Sequence, residues 1–270
     1  MKYNDQMPKI TPTIFENDTE LGRAAAEFIL SGIQAAQMAG ETYVLGCPGG
    51  RSPRSTYRAL AGLIARDQVS IKHLVIAMMD EYVIGTDPTN FVNVGSDSHF
   101  SCMRFAFLEI RDLLNAGLSP ESQQPIEQVL IPDAQNPQNY EDLLQKIGVD
   151  CFLLASGATD GHVAFNCRGT DRNATTRVAA LSDETRLDNL QTFPDFAALS
   201  EVPKFGVTVG PGTIAAISKS AIALLQGEHK ALAFRRISNV DRYDPDWPAS
   251  IITECNFPQI FADATATGSI

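Results

Sequence analysis

Asp160-Gly161-His162, near the middle of the chain, is the clearest candidate for proton-transfer chemistry. Histidine is the usual side chain for moving protons near neutral pH, and a nearby carboxylate can orient the imidazole ring and stabilise its protonated form. The pair follows an apolar run at 151–155 that is typical of a buried strand. A lone histidine is more often structural, but its place at the end of a predicted strand favours a catalytic role.

Two adjacent carboxylates, Asp80 and Glu81, follow another apolar run, HLVIAMM at 73–79. A carboxylate at the end of a strand is partly desolvated, so its pKa can rise and it can act as a base near neutral pH. The alternative is that both acids lie in a solvated loop. MDEY taken alone favours that alternative.

The segment PGGRSP at 48–53 could bind an anion. Backbone N–H groups of Gly49 and Gly50 can approach an anion, the helix that follows adds the positive end of its dipole, and Arg51 and Ser52 add a charge and a hydroxyl. The spacing matches neither the Walker motif nor GxGxxG, so nucleotide binding is poorly supported. A tight turn that needs the glycines only for positive φ is an equal alternative.

Three further cations could serve such an anion, namely Lys230, Arg177 and Arg186. Lys230 lies between a predicted strand and a helix, so it could reach the same face as a point charge. The alternative is an exposed lysine in the first turn of a helix. The two arginines are individually unremarkable.

Alternating apolar patterns predict the elements that position these segments. Strands are predicted at 43–47, 73–79, 150–155, 205–209 and 221–225, and helices at 20–39, 55–67, 98–114, 139–147, 212–217 and 229–237. This alternation indicates an α/β fold, a single doubly wound, mostly parallel sheet with helices on both faces, whose ligands bind beyond the carboxyl ends of the strands. The Pro- and Gln-rich segment 116–138 is interpreted as a long surface loop, so residues 1–270 are expected to form one domain.

The composition restricts the partners and the compartment. A net charge of -11 argues against binding of nucleic acid or an anionic membrane. The N-terminus lacks the features of a signal peptide and no apolar run approaches ~20 residues, so a cytoplasmic location is expected. Five widely spaced cysteines without a CxxC pair signal neither a disulfide framework nor a metal site.

Taken in order, the segments resemble the glucosamine-6-phosphate deaminase/isomerase family and the related 6-phosphogluconolactonases. The matching segments are LGCPGGRSPRSTYRAL (45–60), MMDEYV (78–83), SGATDGHVAFN (156–166), TRV (176–178), DETR (183–186), VPKFGVTVGPGTI (202–214), GEHKALAF (227–234) and PASII (248–252). MDEY followed by DGHVAFN is more similar to the deaminase branch. The resemblance covers nearly the whole chain and implies an enzyme without a cofactor or metal that acts on a small sugar 6-phosphate.

The resemblance also implies roles for individual residues. Asp80 would be the base that moves a proton between C2 and C1 of the opened amino sugar, and His162, oriented by Asp160, would assist ring opening. The expected substrate- and phosphate-binding residues are Gly49, Gly50, Arg51, Ser52, Arg177 and Lys230. Arg177 also matches a cation of the family's activator site, but Ala179 stands where a lysine is usual. Activation by N-acetylglucosamine 6-phosphate is therefore not expected.

Two positions depart from the family pattern. The motif DGHxAFNEP reads DGHVAFNCR, so Cys167 occupies the place of a glutamate that completes the acid and histidine constellation. Cys167 is kept as a catalytic candidate, although a thiol is a weak hydrogen-bond partner and is mostly protonated. Gln191 replaces an arginine that binds the phosphate, and Arg51 could substitute for that charge from the other side.

These features favour an amino-sugar-phosphate isomerase/deaminase, most similar to enzymes of glucosamine 6-phosphate, whose substrate or reaction has shifted. One alternative is a 6-phosphogluconolactonase-type hydrolase in which His162 activates water. Another is a non-catalytic sugar-phosphate sensor that kept the pocket. Family members range from monomers to hexamers, so a homo-oligomer is compatible with the sequence.

Overall fold

Strands and helices alternate along most of the chain in a computed structural model that describes residues 9–119 and 125–268. The strands are β1 (Thr13–Phe15), β2 (Tyr43–Cys47), β3 (Leu74–Met78), β4 (Asp80–Ile84), β5 (Val92–Asn93), β6 (Gln128–Leu130), β7 (Cys151–Ala155), β8 (Arg177–Ala180), β9 (Phe205–Thr208), β10 (Ala221–Leu225) and β11 (Pro258–Asp263). The α-helices are α1 (Asp18–Ala39), α2 (Arg54–Asp67), α3 (Cys102–Phe105), α4 (Asp112–Asn115), α5 (Pro137–Ile147), α6 (Asp183–Thr192), α7 (Pro211–Ile217) and α8 (Ala231–Ser238). A π-helical segment, Ala106–Arg111, joins α3 to α4.

The larger sheet has seven parallel strands in the order β1-β11-β10-β7-β2-β3-β6. Successive side chains of its central strands point to opposite faces. Leu45 and Leu153 pack in one apolar cluster with residues of α1 and α2, while Val44 and Phe152 pack in a second with residues of α5, α7 and α8. The prediction of a mostly parallel sheet with helices on both faces is therefore confirmed.

A smaller antiparallel sheet, β5-β4-β9-β8, lies beside the larger one and was not predicted. Segment 205–209 was assigned to the parallel alternation, but β9 pairs with β4 and β8 instead. The chain passes between the sheets at Met79, whose N–H donates to Cys47 O of the larger sheet while its carbonyl accepts from Val209 N–H. This crossing places Asp80 at the junction of the two sheets.

The segment 116–138 is only partly the loop that its composition predicts. Its residues 120–124 lie outside the described residues, but β6 forms the edge of the larger sheet by pairing with β3. No helix among the described residues is long and apolar enough to cross a membrane. The organisation of all 270 residues as a single domain stays a prediction.

Candidate active site

A cavity opens where the carboxyl ends of β2, β7 and β10 meet the start of β4. Its walls include seven of the residues singled out in the sequence, namely Gly49, Gly50, Arg51, Ser52, Asp80, His162 and Lys230. Parallel strands bring their carboxyl ends to one edge of a sheet, which is why segments more than a hundred residues apart in the chain converge here.

The Asp160–His162 pair is built as the sequence predicts. Asp160 Oδ1 lies 2.8 Å from His162 Nδ1, and Asp160 Oδ2 accepts a hydrogen bond of 2.8 Å from the Thr185 hydroxyl. Burial acts to raise the pKa of Asp160, but the hydrogen bonds from His162 and Thr185 outweigh it and hold that pKa well below its usual range. The ionised carboxylate favours the proton on Nδ1, which leaves Nε2 of the ring free to exchange a proton.

Gly157 is required for this pair to form. A Cβ at that position would lie 2.1 Å from Asp160 Oδ1 and 2.4 Å from His162 Nδ1, well inside van der Waals contact. The Gly157 N–H also donates to His162 O at 2.8 Å. The glycine therefore lets the backbone after β7 approach both side chains closely.

Asp80 is buried at the inner wall of the cavity, with 6 % of its surface exposed. Desolvation raises its pKa to about 7, against the opposing effects of a hydrogen bond from the Cys102 thiol at 3.3 Å and of nearby His162. Glu81 adds a smaller effect in the raising direction. A carboxyl group with this pKa is present in both protonation states near neutrality, so it can accept a proton and return it.

Glu81 is buried as well, but it has a different role from its neighbour. Its carboxylate accepts hydrogen bonds from the backbone N–H groups of Tyr82, Cys102 and Met103 and from the Ser101 hydroxyl. It therefore anchors the first turn of α3, where unpaired N–H groups favour an anion. The alternative that both acids lie in a solvated loop is wrong, because only 1 % of the surface of Glu81 and 6 % of that of Asp80 are exposed.

The cations of the cavity lining, Arg51 and Lys230, are grouped around Asp188, and this part of the cavity is called the cation end. Lys230 is 4 % exposed, and its Nζ donates to Ser156 O at 2.6 Å. Burial lowers its pKa, while Asp188 opposes that effect. The Arg51 guanidinium lies 3.6 Å from the carboxylate of Asp188 and 3.4 Å from Gln191 Oε1. Gln191, which replaces an arginine of the family pattern, thus contacts the guanidinium of Arg51.

Besides Asp160 and Glu81, three candidate residues from the sequence lie outside the lining of this cavity. Cys167 Sγ is 3.4 Å from Thr185 Oγ1, so one hydroxyl separates the thiol from the Asp160–His162 pair. Arg177 donates to Asn166 Oδ1 at 3.0 Å and to a backbone carbonyl. Arg186 is buried against Asp183 and backbone carbonyls, which makes it structural.

Sequence reasoning missed several residues of the lining, among them Tyr82, Cys102, Asp188, Asn189 and His229. His229 could have been found from the sequence, because it is next to Lys230, which the sequence already marks as a candidate ligand of the anion. Asp188 and Asn189 are on α6, a mostly polar helix without the apolar stripe that predicts helices. Among the described residues, no cluster of three or more His, Cys, Asp or Glu side chains could hold a metal ion.

Comparison with known proteins places this geometry in context. The family model for glucosamine-6-phosphate isomerases/6-phosphogluconolactonase matches residues 16–261. A monomeric glucosamine-6-phosphate deaminase superposes with a TM-score of 0.80 at 25% identity, over 96% of this chain and 99% of the deaminase. The 6-phosphogluconolactonase from Leishmania guyanensis gives 0.67 at 20% identity, over 97% and 98% of the two chains. That from Trypanosoma cruzi gives 0.67 at 17% identity, over 98% of each chain.

Both enzyme types share this fold, and the family match spans most of the chain. The chain belongs to the glucosamine-6-phosphate isomerase/6-phosphogluconolactonase family.

Proposed function

We propose that the protein is a sugar-phosphate isomerase/deaminase that acts on glucosamine 6-phosphate or a related amino-sugar phosphate. The observation that supports this most is Asp80, a buried carboxyl group whose pKa is raised to about 7 and which shares a cavity with His162. Arg51, Ser52 and Lys230, which line the same cavity, suit the phosphate.

The reaction would begin with binding of the phosphate, which orients the reacting carbons at a distance from the charge. His162 Nε2 would then move a proton at the ring oxygen while Asp160 stabilises the imidazolium, so that the sugar ring opens. Asp80 would take the proton from C2 and return it to C1. The resulting iminium at C2 would add water, expel ammonia and leave a ketose 6-phosphate.

Cys167 bears on the rate of the proposed ring opening. The thiol contacts the hydroxyl of Thr185, which donates to Asp160, and it also accepts from the Ser182 N–H, so its hydrogen-bonded link to the pair runs through Thr185. A carboxylate at the same position would add a charge beside the pair and favour the imidazolium form of His162. We therefore propose that ring opening is slower here than in enzymes that carry the glutamate.

Lactone hydrolysis is a second candidate, which the Asp160–His162 pair favours because a lactonase needs only a base that activates water. This reaction would use His162 in the same orientation and would not require Asp80. A protein that binds the sugar phosphate without turnover, the sensor alternative, would need neither group.

The test is an ammonia-release assay with glucosamine 6-phosphate beside a pH-stat assay with 6-phosphogluconolactone, each on the unmodified protein, Asp80→Asn and Cys167→Glu. The proposal expects ammonia from the unmodified protein, at least a hundredfold less from Asp80→Asn, and more from Cys167→Glu. Lactone opening that survives Asp80→Asn, without ammonia from any form, would favour the hydrolase. Binding without either product would favour the sensor.

A further inference from the structure

We propose that His229 is a proton-linked ligand of the phosphate: it is neutral in the free protein and takes up a proton when a dianion binds between Arg51 and Lys230. This assignment rests on the proposed function and deepens it, because it concerns how the same cavity recognises the charge of its substrate.

His229 is placed to contact an anion at this end of the cavity. It lines the cavity together with Arg51, Asp188 and Lys230, and the ring packs over Gly227, where a Cβ would lie 2.9 Å from ring atoms Nδ1 and Cε1. No described residue forms a hydrogen bond with its ring nitrogens. The ring is therefore held in position with its donors and acceptors available to a ligand.

The charges around this end of the cavity leave a dianion incompletely matched. Arg51 and Lys230 contribute two positive charges, and Asp188 contributes one negative charge. Asp188 lies 3.6 Å from the Arg51 guanidinium, so a bound anion must share that cation with the carboxylate. With neutral His229 the three side chains sum to a single positive charge, whereas a protonated ring adds the second charge that a phosphate dianion needs.

In the free protein, the surroundings of His229 disfavour protonation of its ring. Four charged groups act on His229 from the elements packed around it: Lys230 on its own turn, Arg51 after β2, Asp188 on α6 and Asp263 at the end of β11. Burial and the two cations lower its pKa, while the two carboxylates oppose them. A dianion beside the ring reverses the balance, because an opposite charge within a few ångströms favours the protonated imidazole.

Uptake of a proton on binding makes the affinity for the anion fall as the pH rises. When a ligand binds only as the protein gains a proton, its affinity falls by up to about tenfold for each pH unit above the pKa of the free group. Sulfate is the appropriate probe because it stays a dianion from pH 6 to pH 8.5, so that any proton uptake comes from the protein. Phosphate esters themselves titrate near this range and would mix the two effects.

The experiment is calorimetric titration of sulfate into the full chain at several pH values, in buffers with different enthalpies of protonation, which gives both Kd and the number of protons taken up. We expect uptake approaching one proton near pH 7.5 and a Kd that weakens about tenfold between pH 7 and pH 8. His229→Gln should bind sulfate without that proton uptake, and its Kd should change less than threefold between pH 7 and pH 8. Asp80→Asn, which removes another titratable group of the cavity lining, should keep the uptake.

The two proposals fail in different ways. Sulfate binding without proton uptake, or uptake that His229→Gln retains, would overturn the assignment of His229 and leave the proposed function standing. If the unmodified protein bound no sulfate at any pH while Lys230→Ala behaved identically, the anion site itself would be wrong, and the proposed function would fail with it.

Discussion

Replacing Asp80 by asparagine should make the protein more stable at alkaline pH, although it removes the proposed base. The pKa of Asp80 rises from its ordinary 3.8 to about 7 because the carboxylate is buried. Since the folded protein holds this proton more tightly than the unfolded chain, stability falls as the pH rises from 3.8 to 7 and stays reduced above 7. At about 1.4 kcal/mol per pH unit, the ionised carboxylate costs about 4 kcal/mol at pH 8.5.

Asparagine has the same shape, and its Oδ1 can still accept the hydrogen bond from Cys102. Thermal unfolding followed by circular dichroism should therefore show Asp80→Asn melting roughly 10 °C above the unmodified protein at pH 8.5, since about 1 kcal/mol moves Tm by roughly 2–4 °C in a chain near this size. At pH 5 the advantage should shrink to about 1.6 kcal/mol, a little over a third of its value at pH 8.5, because the Asp80 carboxyl is then still mostly protonated in the folded protein.

Glu81→Gln provides the matched control. Glu81 is equally buried but accepts four hydrogen bonds, and an amide would turn an N–H₂ group toward some of those donors. We expect this variant to lose about 1–3 kcal/mol of stability. An Asp80→Asn variant that is no more stable at pH 8.5, or whose advantage is the same at pH 5, would refute the burial of an ionisable base at this position.

Further predictions concern the surroundings of the proposed base and of the Asp160–His162 pair. Because the Cys102 thiol lowers the pKa of Asp80, Cys102→Ala should move the acidic limb of the kcat/KM profile to higher pH, whereas Cys102→Ser should leave it close to its original position. If the acidic limb of the Cys102→Ala profile did not move, the thiol would have no influence on the pKa of Asp80. Gly157→Ala should reduce kcat by roughly a hundredfold, since the added methyl displaces the His162 ring; full activity with unchanged circular dichroism would contradict the close approach. Thr185→Val should lower kcat roughly tenfold by removing a hydrogen bond to the ionised Asp160, and a kinetic profile identical to the original would show that the hydroxyl does not position the pair.

Much of the larger sheet could be predicted, because its strands are marked by local sequence patterns. The strands β2, β3, β7 and β10 are runs of buried apolar residues, and the segments after all four contribute to the lining of the cavity. The proximity of Asp160 and His162 also follows from local sequence, since one glycine separates them. Periodicity and turn residues are sufficient for such features.

The rest depends on tertiary contacts that no local pattern encodes. β4 begins with two acids, and three of the four hydrogen bonds that compensate the burial of Glu81 come from residues 101–103, about twenty positions further along the chain. The helix α6 buries Thr185 and Arg186 rather than an apolar stripe. Asp188 meets Arg51 across more than a hundred residues, so the balance of charge at the cation end could not be read from either segment alone.

The most direct test of the proposed chemistry is proton exchange at C2 of the substrate. Glucosamine 6-phosphate that carries deuterium at C2 should lose it from C2 when it is incubated with the protein, either to C1 of the ketose 6-phosphate or to solvent, as observed by NMR, and Asp80→Asn should leave the deuterium at C2. A product formed at the same rate by both proteins, or turnover without any transfer involving C2, would contradict the assignment of Asp80 as the base.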